Sequence, residues 1–264
     1  MTKVWVDFIP LWMLFFATVA IVVASVEAGR YLAIRRLKNT EKPADSPVSA
    51  VIGSTLGLLA FLLAFTFGIA AARFDARREL LLEEVNAINT CHLRAGMIPN
   101  QQQQAVRALL RDYVHQRAEL SRRPDQLPKA LTQFVIHANE SLDKLWELAE
   151  QVAEIDRNSE MYSLFVDSVN TVIDSHARRL TVGLYRIPGS IWLALYAVSI
   201  LSMFAVGYHF GISGGRDLII NLFLAISFSV VIVLIADLDN GTTGNLSVSQ
   251  QLMYDLDEKL HSKK

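Results

Sequence analysis

The amino-acid sequence predicts an all-α membrane protein with four transmembrane helices and a large helical cytoplasmic domain inserted between helices 2 and 3. Three observations indicate this class: four long uncharged stretches, helical spacing of apolar residues between the second and third of them, and no alternating pattern typical of β-strands. Of the 264 residues, 52% are hydrophobic, and the mean hydropathy is +0.30. This is a high apolar share for a soluble protein.

Four stretches contain no Asp, Glu, Lys, Arg or His, at residues 8–26, 46–72, 187–208 and 218–236. Crossing about 30 Å of hydrocarbon takes about 20 helical residues at about 1.5 Å each. We therefore predict transmembrane helices at residues 8–26, 47–72, 187–208 and 217–236, in contact with the lipid bilayer. The first stretch exceeds the roughly 7–15 residues of a signal-peptide core, so we expect it to be a retained helix.

The second predicted span has an aromatic stripe. At 100° per residue, an arc of about 80° contains Gly57, Phe61, Phe65 and Gly68. Spacing alone leaves two interpretations open. The phenylalanines either face lipid or fill the bundle core, or they form an apolar pore neck in an assembly of several copies. A ring edge carries partial positive charge, so rings turned edge-on to the axis would tolerate an anion.

A row of small residues lies beside this stripe in the same span. Gly53, Ala60 and Ala64 continue through Gly57 and Gly68 at small-xxx-small spacing. Such rows let neighbouring membrane helices approach closely. We therefore predict helix–helix packing at Gly53, Ala60 and Ala64.

Residues 73–186 differ in kind from the spans, with 15 basic and 16 acidic residues. Their apolar residues recur at helical spacing in four segments separated by turn signals, a pattern typical of amphipathic helices. We predict a water-exposed cytoplasmic helical domain here, and a polar cytoplasmic tail at residues 237–264.

Charged residues mark the ends of two predicted spans. Arg73 follows the second span, and Asp237 and Asp239 follow the fourth. Two carboxylates at a helix C-terminus oppose its dipole and favour a nearby cation. We predict that Arg73 pairs with them at the cytoplasmic membrane surface. Ordinary interfacial charges are the alternative.

The distribution of basic residues favours a multi-pass protein of the bacterial inner (plasma) membrane with the domain and both termini in the cytoplasm. The residues supporting this orientation are Arg73, Arg77, Arg78, Arg178, Arg179, Arg186, Lys259, Lys263 and Lys264. Basic residues between the first two spans oppose it, namely Arg30, Arg35, Arg36, Lys38 and Lys42. The first set is larger and flanks two spans.

Several function classes find no support in the sequence. The six histidines and one cysteine lack metal-site spacing, and no catalytic or phosphate-binding motif occurs, so we predict no enzyme, no cofactor and no metal site. A net charge of −1 argues against nucleic acid as a partner. Proton-coupled transport usually requires an ionisable group at membrane depth, so a passive pore fits the uncharged spans better.

The second span resembles that of bestrophins, in which Phe-x3-Phe is followed eight residues later by Arg-Trp. The corresponding residues here are Phe61, Phe65, Arg73 and Phe74. The order of two spans, a large insert, two spans and a tail is also similar.

Nearly the whole chain is similar to a bacterial bestrophin-like family. The features that carry this likeness are residues 57–78, Glu84-x-Asn86-Ala87-Ile88, Leu110-x-Asp112-Tyr113, Pro188 with Trp192, and residues 235–244. The resemblance implies a homo-oligomeric, pentameric channel for inorganic ions, conducting anions such as chloride. Two departures stand out: Gly57 occupies the first neck position, which implies a wider neck there, and the acidic calcium cluster after the fourth span is missing.

Two other functions stay open at this point. One is a non-conducting membrane scaffold or sensor whose helical domain binds a partner protein. The other is a proton-channel stator subunit, which shares the order of spans and insert but requires an ionisable or strongly polar pore face.

Overall fold

The computed structural model describes residues 9–38, 48–122, 127–214, 218–240, 244 and 246–262. Within these ranges the chain is helical and contains no β-strand. The predicted boundary residues Phe8, Pro47 and Asp217 lie outside the described residues, as do residues 241–243 of the family-like segment.

The described residues form eight α-helices and one short 3₁₀ helix. They are α1 Leu11–Leu37, α2 Val48–Arg94, the 3₁₀ helix Ala95–Met97, α3 Asn100–Arg122, α4 Leu127–Ile155, α5 Glu160–Leu184, α6 Gly189–Ser213, α7 Leu218–Asn240 and α8 Gln251–Ser262. α6 ends at Gly214, whose φ of 72° is the left-handed conformation that glycine adopts without strain.

The chain divides into two compact units. The spanning unit comprises Met1–Arg73 and Arg186–Leu246, and the amphipathic unit comprises Phe74–Tyr185 and Ser247–Lys264. α2 contributes to both, and its 47 residues measure about 70 Å at about 1.5 Å per residue. Since hydrocarbon is only about 30 Å thick, the uncharged first part of α2 alone is suited to the membrane.

Four helices are long and apolar enough to cross a membrane, at Leu11–Leu37, Ser49–Met97, Gly189–Ser213 and Asn221–Asn240. The helices continue past the predicted ends of the spans. α1, for example, runs beyond residue 26 through an intrahelical ion pair between Arg30 Nη2 and Glu27 Oε2 at 2.8 Å. An uncharged run indicates which residues lie within the membrane. The helix itself can extend beyond that run, because i,i+3 ion pairs stabilise its charged continuation.

Within the spanning unit, α1 packs against α6 almost backbone to backbone. A Cβ added at Gly29 would overlap the carbonyl oxygen of Phe204, and one added at Gly207 would overlap that of Val26. At Gly211 it would lie 2.5 Å from the Cβ of Ala33. α1 and α6 therefore approach each other closely, through glycines that the sequence analysis did not select.

Polar side chains also join the spanning helices. Thr18 Oγ1 of α1 and the Tyr196 hydroxyl of α6 lie 2.8 Å apart. Ser202 of α6 donates to the carbonyl oxygen of Thr55 in α2 at 3.1 Å. Thr18 Oγ1 also donates to the Leu14 carbonyl oxygen at 2.8 Å, so these hydroxyl groups are satisfied within the helix bundle.

The amphipathic unit has a core of its own, formed by the apolar faces of its helices. Fully buried residues from five helices represent it: Ile88 of α2, Leu110 of α3, Leu145 of α4, Phe165 of α5 and Met253 of α8. The helices of this unit, α8 included, share one core. That residues 73–186 form a separate inserted domain stays a prediction. Its location in the cytoplasm stays a prediction.

A buried polar cluster lies inside this core, centred on the Glu84 carboxylate. The Tyr113 hydroxyl donates to Glu84 Oε1 at 2.5 Å and lies 2.7 Å from His176 Nδ1. Because the only hydroxyl proton of Tyr113 goes to the carboxylate, His176 Nδ1 must carry a proton and donate to the phenolic oxygen. His176 Nε2 is buried and has no hydrogen-bond partner among the described residues.

Two arginines balance the buried carboxylate. Arg117 Nε lies 3.5 Å from Glu84 Oε2, and Arg179 Nη1 pairs with the same oxygen. Arg179 Nη2 also donates to Gln250 Oε1 at 2.6 Å, which links the segment before α8 to α5. Burial opposes ionisation of Glu84, but Arg117 and Arg179 outweigh it and lower the carboxyl pKa below its usual value.

The same surroundings disfavour a charged imidazole. Burial, reinforced by the positive charge of Arg117, lowers the pKa of His176 to about 4. Burial and the neighbouring Glu84 carboxylate raise the pKa of the Tyr113 phenol. At neutral pH the cluster therefore contains one carboxylate, two guanidinium groups and two neutral rings.

We expect Gly29→Ala to destabilise the spanning unit, because the added methyl group must force α1 away from α6. Overpacking of this kind costs about 1–3 kcal/mol. The measurement is the thermal unfolding midpoint of purified protein in detergent. Gly183→Ala in α5 is the matched control, since a Cβ there meets nothing within 4 Å. Equal midpoints for the two variants would contradict the close α1–α6 contact.

We expect stability to fall as the pH is lowered from 7.5 to 5.0, partly through His176. Its unfolded pKa is about 6.5 and its folded pKa is about 4. The unfolded chain thus binds the proton more readily, and stability present above about pH 6.5 is lost as the pH falls towards 4. The loss by pH 5.0 is about 2 kcal/mol.

His176→Gln should lose less stability over this pH interval than the wild type, as measured by unfolding midpoints at both pH values. His137→Gln, at an exposed position of α4, is the control and should behave like the wild type. An unchanged pH dependence in His176→Gln would show that another group is responsible.

Candidate functional site

Phe61 and Phe65 lie on an exposed face of α2. Their side chains are 64% and 57% exposed in the single chain. Because they are four residues apart, their rings lie one turn above the other, with centroids 6.3 Å apart and planes inclined by 15°. The two rings form one continuous aromatic surface.

This surface points away from the helix bundle of its own chain. Within the spanning unit, the buried stripe of α2 consists of Leu59, Leu63, Thr66 and Ala70. Phe61 and Phe65 each follow a buried leucine by two residues, which is a rotation of about 200° around the helix. The rings are therefore nearly opposite the stripe that holds α2 in the spanning unit.

Glycines flank the rings on the same face. Gly57 and Gly68 are both exposed, and a Cβ at either would meet nothing within 4 Å. We call Gly57, Phe61, Phe65 and Gly68 the Phe face. It has no titratable side chain and no side-chain hydrogen-bonding group, so it offers no ligand for a metal ion or cofactor.

The small residues predicted to pack against another helix are also exposed. A Cβ at Gly53 would meet nothing within 4 Å. Ala60 and Ala64 line an open apolar groove of about 470 Å³ between α2 and α7. The other residues lining this groove are Leu63, Phe67, Ser227, Phe228, Val231 and Leu234. The row of small residues is thus available to a partner outside the single chain.

At the end of α7, Asp239 connects three parts of the spanning unit. Its buried carboxylate accepts the Ile187 N–H at 3.0 Å through Oδ2 and at 3.2 Å through Oδ1. Arg73 Nη1 lies 3.4 Å from Asp239 Oδ1. The end of α7, the approach to α6 and the Arg73 turn of α2 therefore meet at one carboxylate.

Asp237 has a different environment. Its carboxylate accepts the Leu246 N–H at 3.3 and 3.4 Å. A Cβ at Gly244 would overlap Asp237 Oδ1, so a glycine is required for this close approach. The described residues contain no ion pair between Asp237 and Arg73. The structure therefore brings only Asp239 together with Arg73.

The sequence analysis missed two participants, the Ile187 N–H and Gly244. Ile187 directly precedes Pro188, the N-cap of α6, so its N–H lies ahead of the helix and requires a separate acceptor. Gly244 lies in the family-like segment at residues 235–244, where a glycine after a helix end indicates an unusual backbone or a close contact. Neither signal identifies the partner.

Comparisons with known proteins give a consistent family. The model of the bestrophin-like domain matches residues 12–253. A comparison with curated proteins finds no match.

Three solved structures illustrate the likeness in fold, all of a bacterial bestrophin homolog from Klebsiella pneumoniae. One single-site variant has a TM-score of 0.67 at 12% identity, covering 96% of this chain and 98% of that chain. A second variant gives 0.69 at 14% identity, with 94% and 98% covered. A third structure gives 0.64 at 14% identity, with 96% and 98% covered.

At these identities the structures establish a shared fold alone. The family match, however, extends over most of the sequence, from α1 to α8. The order of helices in the solved homologs is reproduced over nearly the full length. The chain therefore belongs to the bestrophin-like family.

Proposed function

We propose that this protein is a passive ion channel in which copies of α2 surround a pore with an apolar neck formed by the Phe face. The permeant ions are anions of the chloride type. The observation that carries the proposal is the exposed pair of stacked rings, Phe61 and Phe65, opposite the buried stripe of α2. Membership of the bestrophin-like family supports it.

The composition of the Phe face indicates that it faces the central pore axis of an oligomer and not lipid. Bulky aliphatic side chains cover the backbone of a lipid-facing helix, whereas glycines here leave the backbone uncovered on both sides of the rings. Around a symmetry axis, the rings would form a narrow apolar constriction and the glycines wider sections beside it. Gly57 then makes the neck wider at its first position.

The chemistry of the neck fits anions better than protons or cations. Phenylalanine ring edges carry partial positive charge, and the predicted spans contain no carboxylate that would attract a cation. They also lack Lys, Arg and His, so they contain no ionisable group at membrane depth, which proton-coupled transporters usually require. The proposal includes no cofactor and no enzymatic step.

The exposed small residues of α2 indicate how subunits could assemble. We propose that Gly53, Ala60 and Ala64 receive a helix of a neighbouring subunit, since small residues permit close approach and Ala60 and Ala64 line an open groove. The family resemblance supports five subunits. We place the protein in the bacterial inner membrane, with the amphipathic unit and both termini in the cytoplasm, in accordance with the positive-inside rule.

We expect Phe61→Ala and Phe65→Ala to increase anion flux several-fold and to reduce selectivity, because each substitution widens the constriction. The measurement is chloride efflux from liposomes containing purified protein, with sodium and potassium gradients tested in parallel. Phe223→Ala is the matched control, because Phe223 is a similarly exposed ring on α7. Its flux should equal that of the wild type.

Unchanged flux and selectivity in both α2 variants would exclude the neck. A wild-type protein that conducts no ion at any pH or voltage would favour a scaffold or sensor that binds a partner protein. Particle symmetry from electron microscopy tests the five-subunit arrangement separately.

We also propose that the Arg73–Asp239 pair stabilises the channel at the ends of its spanning helices. Asp239→Asn should lower the free energy of unfolding by about 1–3 kcal/mol, because the Ile187 N–H and Arg73 both lose a charged acceptor. Arg73→Gln should cost less, since the Ile187 hydrogen bonds remain. The measurement is thermal unfolding in detergent, with Asp174→Asn at an exposed position as control.

The double variant Arg73→Gln/Asp239→Asn should be more stable than the sum of the single effects predicts, since the pair is removed only once. Strict additivity would show that the two side chains do not interact.

A further inference from the structure

Three potential metal ligands meet on the surface of the amphipathic unit. They are His115 of α3 and Asp257 and His261 of α8. His115 Nδ1 lies 3.3 Å from Asp257 Oδ2, and His261 Nδ1 lies 3.1 Å from Asp257 Oδ1. Each residue offers one ligand atom, and these atoms lie within 4.8 Å of one another.

The fold determines this meeting. Asp257 and His261 are four residues apart, so they lie on the same face of α8. Met253, Leu256 and Leu260 of α8 are buried in the core of the amphipathic unit. Their burial fixes the rotation of α8 about its own axis. With α8 held in this orientation, its Asp257–His261 pair faces His115 on α3.

The carboxylate of Asp257, which lies between the two histidines, has an oxygen without a hydrogen-bond donor. Asp257 is only 8% exposed, and its Oδ1 atom accepts no hydrogen bond from any described residue. The nearby His261 Nδ1 instead lies 2.9 Å from the backbone carbonyl oxygen of Asp257. A buried carboxylate oxygen without a donor is unfavourable unless a cation approaches it.

The surroundings leave room for such a cation. The three residues line an open groove of about 370 Å³ together with Asp255 and Glu258. The side chains of His115 and His261 are about half exposed, so an ion can reach them from solution. Arg122 also lines the groove, but its guanidinium pairs with Glu119 at 2.5 Å and lies over the Tyr254 ring.

We propose that His115, Asp257 and His261 bind a zinc ion that clamps α8 to α3. In a tetrahedral zinc site with bonds of about 2.0–2.2 Å, ligand atoms are about 3.3–3.6 Å apart. The three ligand atoms here lie within 4.8 Å of one another, so small side-chain rotations bring them to this separation once His261 Nδ1 releases the Asp257 carbonyl oxygen. Two imidazoles and one carboxylate suit zinc, whereas calcium and magnesium prefer oxygen ligands alone. Water supplies the fourth ligand.

This inference departs from the sequence prediction of no metal site. His115 and Asp257 are 142 positions apart, so no local motif spacing joins them. Only the packing of α8 on α3 brings them together. The zinc site is independent of the proposed channel function.

Zinc titration of tag-free, full-length protein in detergent tests the site by calorimetry. We expect one zinc ion per chain in the wild type. His115→Ala and His261→Ala should each weaken binding by at least about tenfold, because each removes one of three protein ligands. Both side chains are exposed enough for the variants to fold. His137→Ala, on α4 of the same unit, is the matched control and should bind like the wild type.

Wild-type affinity in both ligand variants would overturn the site, and so would an equal loss in His137→Ala. Hydrogen exchange tests the clamp itself. Zinc should slow backbone exchange in α8 of the wild type and leave His115→Ala unaffected. An exchange rate that does not respond to zinc in the wild type would overturn the clamp.

Discussion

The carboxylate of Asp239 is the point on which the arrangement of the spanning helices depends. It lies at the end of α7, accepts the backbone N–H that precedes α6, and contacts Arg73 of α2. A buried carboxylate is stable only if its oxygens are engaged, and here a backbone donor and a guanidinium share that role. One side chain thus contacts residues of α2 and of the segment before α6 from the end of α7, while Asp237, two residues earlier, accepts the Leu246 N–H.

The amphipathic unit also contains a buried carboxylate, and this one has more charged and polar partners. Glu84 is fully buried and is compensated by two arginines and a tyrosine, and the cluster joins α2, α3 and α5 to the segment before α8. Hydrophobic burial supplies most of the stability of such a core, but it does not select one register of helices over another. A polar cluster with specific partners favours one register, because a shifted helix would leave a buried charge unpaired.

The sequence predicts the helical class and the Phe stripe of α2, because both depend on local periodicity. That the stripe is exposed in the single chain follows only from the structure. Uncharged runs identify the spans but not the helix ends, since α1 and α2 continue into charged sequence. Long-range partners are a different matter. The Ile187–Asp239 contact and the Glu84 cluster join residues far apart in sequence, and no spacing rule predicts them. The close α1–α6 contact does have a local signal, the small-xxx-small pair Gly207-x-x-x-Gly211 in α6.

The contact between α1 and α6 has a mechanical consequence. Its glycines bring backbone against backbone, without flexible side chains between them to absorb a displacement. Such a pair is stiff, and the two helices must move as a single body. α2 and α7 instead border an open groove, where a shift of about an ångström breaks few dispersion contacts. Within the single chain, the more loosely packed part of the spanning unit is therefore the part that carries the phenylalanines, and a neighbouring subunit's helix in the groove would hold it in place.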